Sequence, residues 1–318
     1  MKAIVFDASG APNVVLRCEN VPVPTPEAGQ VRVKVAASPI NPADVAFIRG
    51  VYRIKPTSPQ VAGLEGAGIV EEVGAGAENW LGRCVAFRWP GAWADYVVVP
   101  AERLIAVPEG IDLETAAQIS LNPLTAVGLV QTSGVTAGES LLLTAARSTV
   151  STLAAQIARE KGIKTIGLVR GQANGSACDV VLSADDPQLV PALTAAGQNG
   201  INGLLDSVGG PLVPRLFSTL AAGATVVAYG VQDAQPMQVS NAMLIYANLT
   251  WVGFGIDRWL ALRGDAVQDD IKLAWSLIER KVITLPVQTR FEMGDIEAAF
   301  AADGAAGRAG KVLFVPDR

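Results

Sequence analysis

Residues 140–161 read SLLLTAARSTVSTLAAQIAREK, and the change of period inside this stretch decides the fold. Ser140–Thr144 is a short apolar run of strand character, and from Val150 to Lys161 the apolar residues recur at helical spacing. The turn between them, Thr144-Ala145-Ala146-Arg147-Ser148-Thr149-Val150-Ser151, joins a strand to the N-terminus of a helix. A strand, a tight turn and a helix whose free N–H groups point at a ligand make the phosphate-binding unit of dinucleotide sites. Such turns are normally rich in glycine, which lets the backbone approach phosphate. Here there is none, and Thr149 and Ser151 stand in the glycine positions. Their hydroxyls, with the charge of Arg147, are candidate phosphate contacts. A βα turn without a ligand is the other reading of the same residues.

On the C-terminal side the alternation continues. Lys164–Val169, Asp179–Leu182, Gly203–Asp206, Ala224–Tyr229 and Leu249–Phe254 read as buried strands, with helices near Pro187–Ala195 and Leu212–Leu220. Leu113–Ile119 and Thr125–Ser133 precede them as helices. Strands alternating with helices predict a parallel sheet covered on both faces, a Rossmann-like doubly wound domain. Its second strand ends Gly167-Leu168-Val169-Arg170. A cation there meets an adenosine 2′-phosphate, whereas an acid would favour NAD, so Arg170 points to NADPH; a solvated surface arginine is the alternative. The stretch from Gly171 to Ala177 is several residues too short for the usual helix before the third strand.

From Met1 to about Ile111 the texture is different. Short alternating runs (Gln30–Ala36, Gly68–Val73, Cys84–Arg88, Trp93–Val99) are punctuated by Gly and Pro, and Pro22, Pro24 and Pro26 exclude helix between them. After an amphipathic helix at Val267–Lys281 the tail returns to strands, Val287–Phe291 and Lys311–Val315. The expected organisation is therefore a β-barrel-like catalytic domain over 1–112, an inserted nucleotide-binding α/β domain over 113–260, and a return to the first domain over 261–318.

Composition narrows the chemistry. There is no histidine among 318 residues, which removes Ser–His and Cys–His nucleophilic catalysis and every histidine-assisted zinc site. Three dispersed cysteines (Cys18, Cys84, Cys178) make neither a disulfide framework nor a four-cysteine zinc site. A net charge of −5 without a basic block gives no sign of nucleic acid or of an anionic membrane surface. Arg147 and the Arg159–Lys161 charges interrupt the longest apolar region, so no membrane span is expected. The N-terminus enters an alternating strand without a targeting pattern, and the cytoplasm is the expected location.

Asn41-Pro42-Ala43-Asp44, Arg49-Gly50-Val51-Tyr52 and Gly63-Leu64-Glu65-Gly66-Ala67-Gly68-Ile69-Val70 resemble the first, GroES-like domain of medium-chain dehydrogenase/reductases. In the zinc alcohol dehydrogenases of that superfamily a Gly-His-Glu supplies a metal ligand. Leu64 replaces that histidine, and Asn41 falls near their first cysteine ligand, as in a zinc-free branch. Within that branch the chain is similar to the mitochondrial-type trans-2-enoyl thioester reductases. The likeness runs through Asn122-Pro123-Leu124-Thr125-Ala126, Asp206-Ser207-Val208-Gly209-Gly210, Tyr229-Gly230, Gly253-Phe254 with Trp259, and Gly310-Lys311. Val-Gly-Gly and Tyr-Gly are shared with quinone reductases.

The resemblance implies NADPH-dependent reduction of an activated C=C bond, with a 2-enoyl thioester as the leading substrate and a small molecule or thioester-linked acyl group as the substrate class. It makes Tyr52 the active-site tyrosine, a phenol donor that polarises the carbonyl; a loop tyrosine packed on the barrel is the alternative. Carried over by position, the cofactor contacts are Asn41, Asn122, Thr125, Arg147, Ser148, Thr149, Val150, Arg170, Tyr229, Gly230, Phe254 and Lys311. Their competing readings are a turn residue for Asn122, core aromatics for Phe254 and Trp259, and an exposed lysine for Lys311. Gly255 stands where these reductases carry a bulky aromatic, which enlarges the expected acyl pocket. The family also implies a homodimer, with Tyr246–Gly253 as the candidate pairing strand. Two rivals stay open: a quinone or other activated-alkene reductase, and a non-catalytic relative suggested by the glycine-free turn.

Overall fold

A computed structural model describes residues 1–305 and 309–316. The chain opens with strands β1 (Lys2–Phe6), β2 (Arg17–Asn20) and β3 (Gln30–Pro39), helix α1 (Pro42–Ile48), then β4 (Gln60–Val61), β5 (Gly66–Val73), β6 (Cys84–Phe87), β7 (Tyr96–Pro100) and β8 (Leu104–Ala106). Its middle holds α2 (Asn122–Ser133), β9 (Ser140–Leu143), α3 (Thr149–Glu160), β10 (Lys164–Val169), β11 (Val180–Ser183), α4 (Leu189–Gly197), β12 (Ile201–Asp206) and β13 (Leu220–Ala228). There follow α5 (Asn241–Ala247), β14 (Thr250–Gly253), α6 (Ile256–Arg263), α7 (Val267–Glu279), β15 (Val287–Phe291), α8 (Ile296–Gly304) and β16 (Lys311–Phe314). Two compact units result, Met1–Leu121 with Leu285–Arg318, and Asn122–Thr284.

The sequence pattern predicts domain boundaries at 112/113 and 260/261, and the units divide later at both points. Residues 113–121 are bound into the first unit, where Gln118 Nε2 donates to Leu285 O at 3.1 Å and Leu121 N to Glu65 Oε1 at 2.7 Å. Helix α7 stays with the second unit through Gln131 Nε2 to Asp270 Oδ1 at 2.9 Å and the Arg280–Glu160 ion pair at 2.6 Å.

In the first unit β3 is the spine. Val31, Val33 and Val35 alternate inward at period two. β5 pairs with one edge of β3, while β7 along its first half and β16 at Ser38–Pro39 take the other. A small sheet, β2-β1-β4, completes the strands. Ile4, Phe6, Ile40, Phe47, Trp93 and Phe314 form a core beside it. Helix α1 interrupts a region whose texture reads as β. Its signal was nonetheless local: Pro42 at the first turn needs no N–H partner, and Asp44 accepts the Asn41 N–H at 2.7 Å in a capping box.

The second unit is a six-stranded, wholly parallel sheet in the order β11-β10-β9-β12-β13-β14. Counted from β9 this is 3-2-1-4-5-6, the dinucleotide-binding order, with its switch point between β9 and β12. Leu141, Leu142, Leu143, Ile166, Leu168, Leu204, Leu205, Val226 and Val227 are all buried, as burial on both faces requires. No helix forms between β10 and β11. Tyr246 lies in α5 and not in a strand. Ser240 caps that helix through Met243 N, and Asn248 ends it in the left-handed region at φ 49°, so the strand begins only at Thr250. No helix among the described residues is long and apolar enough to cross a membrane.

Candidate active site

The C-terminal ends of β9, β12 and β13 are joined by side chains. Thr144 Oγ1 donates to Asp206 Oδ1 at 2.8 Å and accepts from Ser207 N at 2.9 Å. Asp206 also accepts the N–H groups of Val208 and Gly209, both at 3.0 Å, which folds the Val-Gly-Gly turn over the strand end. Burial raises the Asp206 carboxyl above its usual range, and these donors oppose the rise. Gly230 comes so close to Ser207 that a Cβ would lie 2.8 Å from its carbonyl oxygen, so only glycine fits.

Helix α3 starts at this edge. Ser148 caps it by accepting Ser151 N at 3.2 Å, and Thr149 and Val150 open its first turn. Ser151 Oγ donates to Thr144 O at 3.0 Å and lies 2.9 Å from the Tyr229 hydroxyl. A serine has one hydroxyl proton, so Tyr229 is the donor in that pair. Burial raises the Tyr229 phenol, offset by the hydroxyls of Ser151, Ser207 and Ser148. Ala145 holds the left-handed φ of 45° that glycine usually supplies in such a turn. Helix N-terminus, strand ends and glycine-lined approach together fit a dinucleotide pyrophosphate.

Asn122 and Thr125 are buried on the first turn of α2. Phe254 packs on α2 and pairs with Trp259 at 6.0 Å; a Cβ on Gly128 would lie 2.7 Å from the Phe254 ring. Arg170 is exposed at the end of β10. Arg147 turns its guanidinium to the β10–β11 connection, donating to the carbonyls of Arg170, Gln172 and Asn174.

The first unit gathers Asn41 and Lys311, both buried, in one network. Lys311 Nζ donates to Asn41 Oδ1 at 2.6 Å, and Asn41 Nδ2 to Glu65 Oε2 at 2.9 Å. Ser120 Oγ reaches Glu65 Oε1 at 2.8 Å, and Leu64 N reaches Asp44 Oδ1 at 2.8 Å. Burial pushes the Asp44 carboxyl up to about 7, with Glu65 adding to the rise. Burial raises Glu65 as well. Sequence reasoning did not foresee this network. Its signal was the pair Asp44 and Glu65, acids inside apolar and glycine-rich runs. The exposed reading of Lys311 gives way to a lysine fixed by Asn41 and the Ile40 carbonyl.

Tyr52 follows the turn that ends α1. Gly50 takes φ +71° and donates to Phe47 O, and the amides of Val51 and Tyr52 both donate to Ala46 O at 3.0 Å. The Tyr52 ring packs on the Ile4–Phe314 core, with the Arg53 guanidinium 5.8 Å from its centroid. Among the described residues its hydroxyl makes no hydrogen bond to the protein. Lys55 is held by the Gly50 carbonyl at 2.7 Å. Also among the described residues, no group of three or more His, Cys, Asp or Glu is placed to hold a metal.

A β-rich unit interrupted in sequence by a unit with a 3-2-1-4-5-6 parallel sheet is the architecture of a medium-chain dehydrogenase/reductase. Residues 27–109 match the alcohol dehydrogenase GroES-like domain family. The chain is 30% identical to the mitochondrial enoyl-[acyl-carrier-protein] reductase of Rattus norvegicus, over 95% of this chain and 85% of that relative. A putative NADPH:quinone reductase from Bacillus thuringiensis superposes with a TM-score of 0.90 at 26% identity, covering 99% of each chain. A mycobacterial protein solved in complex with NADPH superposes at 0.87 and 26% identity, over 99% of this chain and all of that one. The chain belongs to the enoyl-[acyl-carrier-protein] reductase family of the medium-chain dehydrogenase/reductases, and it is an oxidoreductase.

Proposed function

We propose that this protein reduces the C=C bond of a 2-enoyl thioester with NADPH as hydride donor and without zinc. The observation that carries the reading is Tyr52: a ring anchored in the core and a hydroxyl that no protein group occupies among the described residues. NADPH, when bound, supplies a hydride to Cβ. The chain's own part is to place and polarise. Tyr52 donates to the thioester carbonyl oxygen, where negative charge grows as Cβ is reduced, and a proton then completes the bond at Cα. The N-terminus of α3, with Ser148 and Thr149, cradles pyrophosphate. Arg170 pairs with the 2′-phosphate, which an NADH-selective chain would meet with an acid.

A quinone as acceptor is the second reading, favoured by the fold neighbour named an NADPH:quinone reductase. Purified protein supplied with NADPH and, separately, crotonyl-CoA, longer 2-enoyl thioesters and quinones separates the two. Reduction of quinones with the thioesters untouched would sink the first. The exposed edge strand β14 supports a homodimer in which two sheets join, checked by sedimentation. Three free cysteines fit a reducing compartment, and we assign the cytoplasm.

A further inference from the structure

The connection from β10 to β11 runs through residues 170–179. Parallel strands usually need a crossover of a dozen or more residues, most often a helix. This one is shorter and has no helix, so most of its backbone groups lack the partners a helix would provide. Arg147 supplies partners for three of its carbonyls. Its Nε donates to Asn174 O at 3.0 Å, Nη1 to Arg170 O at 3.0 Å, and Nη2 to Gln172 O at 2.5 Å and Asn174 Oδ1 at 2.9 Å. Two further ties hold the ends: Gly171 N to Asp185 Oδ2 at 2.7 Å, and Ser176 Oγ to Ala146 O at 3.0 Å. Gly171 and Gly175 take left-handed φ of 69° and 65°, and a Cβ on Gly175 would stand 3.4 Å from Arg147 Nε.

We infer that Arg147 is a positioning residue for cofactor choice. It fixes the backbone of Arg170, and so the place from which the Arg170 side chain meets the 2′-phosphate. This rests on the NADPH reading above and assigns Arg147 a part different from direct contact with pyrophosphate. A planar fork of five N–H donors can span three carbonyls at once; an ammonium on a flexible stem has the charge without that geometry. Arg147→Lys therefore separates positioning from charge.

The test is titration of wild type, Arg147→Lys, Arg147→Ala, Arg170→Ala and the Arg147→Ala/Arg170→Ala double variant with NADPH and with NADH, followed by calorimetry. Hydrogen exchange of residues 170–177 is measured alongside. Both Arg147 variants should weaken NADPH binding by about tenfold, the loss of one charge-assisted contact, and leave NADH within about twofold. Exchange over 170–177 should quicken. The double variant should bind NADPH no more weakly than Arg170→Ala, because Arg147 acts through Arg170. Wild-type affinity in Arg147→Lys, or losses that multiply in the double variant, would overturn this inference alone. Equal affinity of the wild type for both cofactors would overturn the NADPH reading and this one with it.

Discussion

Lys311 Nζ lies 2.6 Å from Asn41 Oδ1, so the last strand of the first unit is bonded to the turn that opens α1, 270 residues away in sequence. The ammonium is buried, and its charge draws down the raised pKa values of both Asp44 and Glu65. Lys311→Met removes the cation and leaves two buried carboxyls without it. The expected loss is about 3–5 kcal/mol in urea unfolding at pH 7. At pH 5 the loss should shrink, because Asp44, with its pKa pushed up to about 7, is then neutral and no longer needs the lysine. An equal loss at both pH values would show that Lys311 acts by packing alone.

Asp44 makes a prediction of its own. Its folded pKa is about 7, against an ordinary value of 3.8, with burial as the main cause. Between those values the native state holds more protons than the unfolded chain. The stabilising contribution is therefore full below the lower value and is lost as pH rises through the upper one. Comparing urea unfolding from pH 4.5 to 7.5, wild type should lose a few kcal/mol relative to Asp44→Asn as pH rises. A relative gain across that window would contradict the buried, proton-holding Asp44.

The sequence was legible where period and burial agree. The runs Lys164–Val169 and Val287–Phe291 match strands β10 and β15 at both ends, because apolar or alternating residues stop there against charge, Gly or Pro. Helix α1 was missed because it is one short element in a β texture, signalled only by Asn41-Pro42 and Asp44. α5 was missed because Ile245 and Tyr246, strand-like by type, belong to a helix that buries none of its residues. The site was legible at the chain ends of strands, where fold dictates place. Partners were not: no pattern tells that Arg147 would bond to residues 23 to 27 positions on, or that Ser151 would meet Tyr229.

Ala145 tests whether the glycine-free turn is strained. At φ 45° an L-residue costs roughly 1–2 kcal/mol, while glycine adds about 0.5–1 kcal/mol of chain entropy to folding. Ala145→Gly should thus stabilise the protein by about 0.5–1 kcal/mol, seen as a rise in Tm. A fall in Tm would mean that the Ala145 methyl contributes more through contact than its backbone costs.

Tyr52→Phe separates the two acceptors. The ring remains on its core and the Gly50 turn does not involve the hydroxyl, so folding and Kd for NADPH should stay near wild type. With a 2-enoyl thioester, the change removes the donor that the proposed function assigns to an oxygen whose charge grows only as Cβ is reduced. Such a donor acts on the transition state, so the loss should fall on kcat, by about 10²-fold, with KM little altered. A quinone delocalises the incoming charge over its own ring and second carbonyl, and its reduction should survive the substitution nearly intact. Steady-state kinetics with crotonyl-CoA and a benzoquinone, on the same preparation, reads both at once. Full thioester reduction by Tyr52→Phe would remove the phenol from the chemistry, whatever the acceptor.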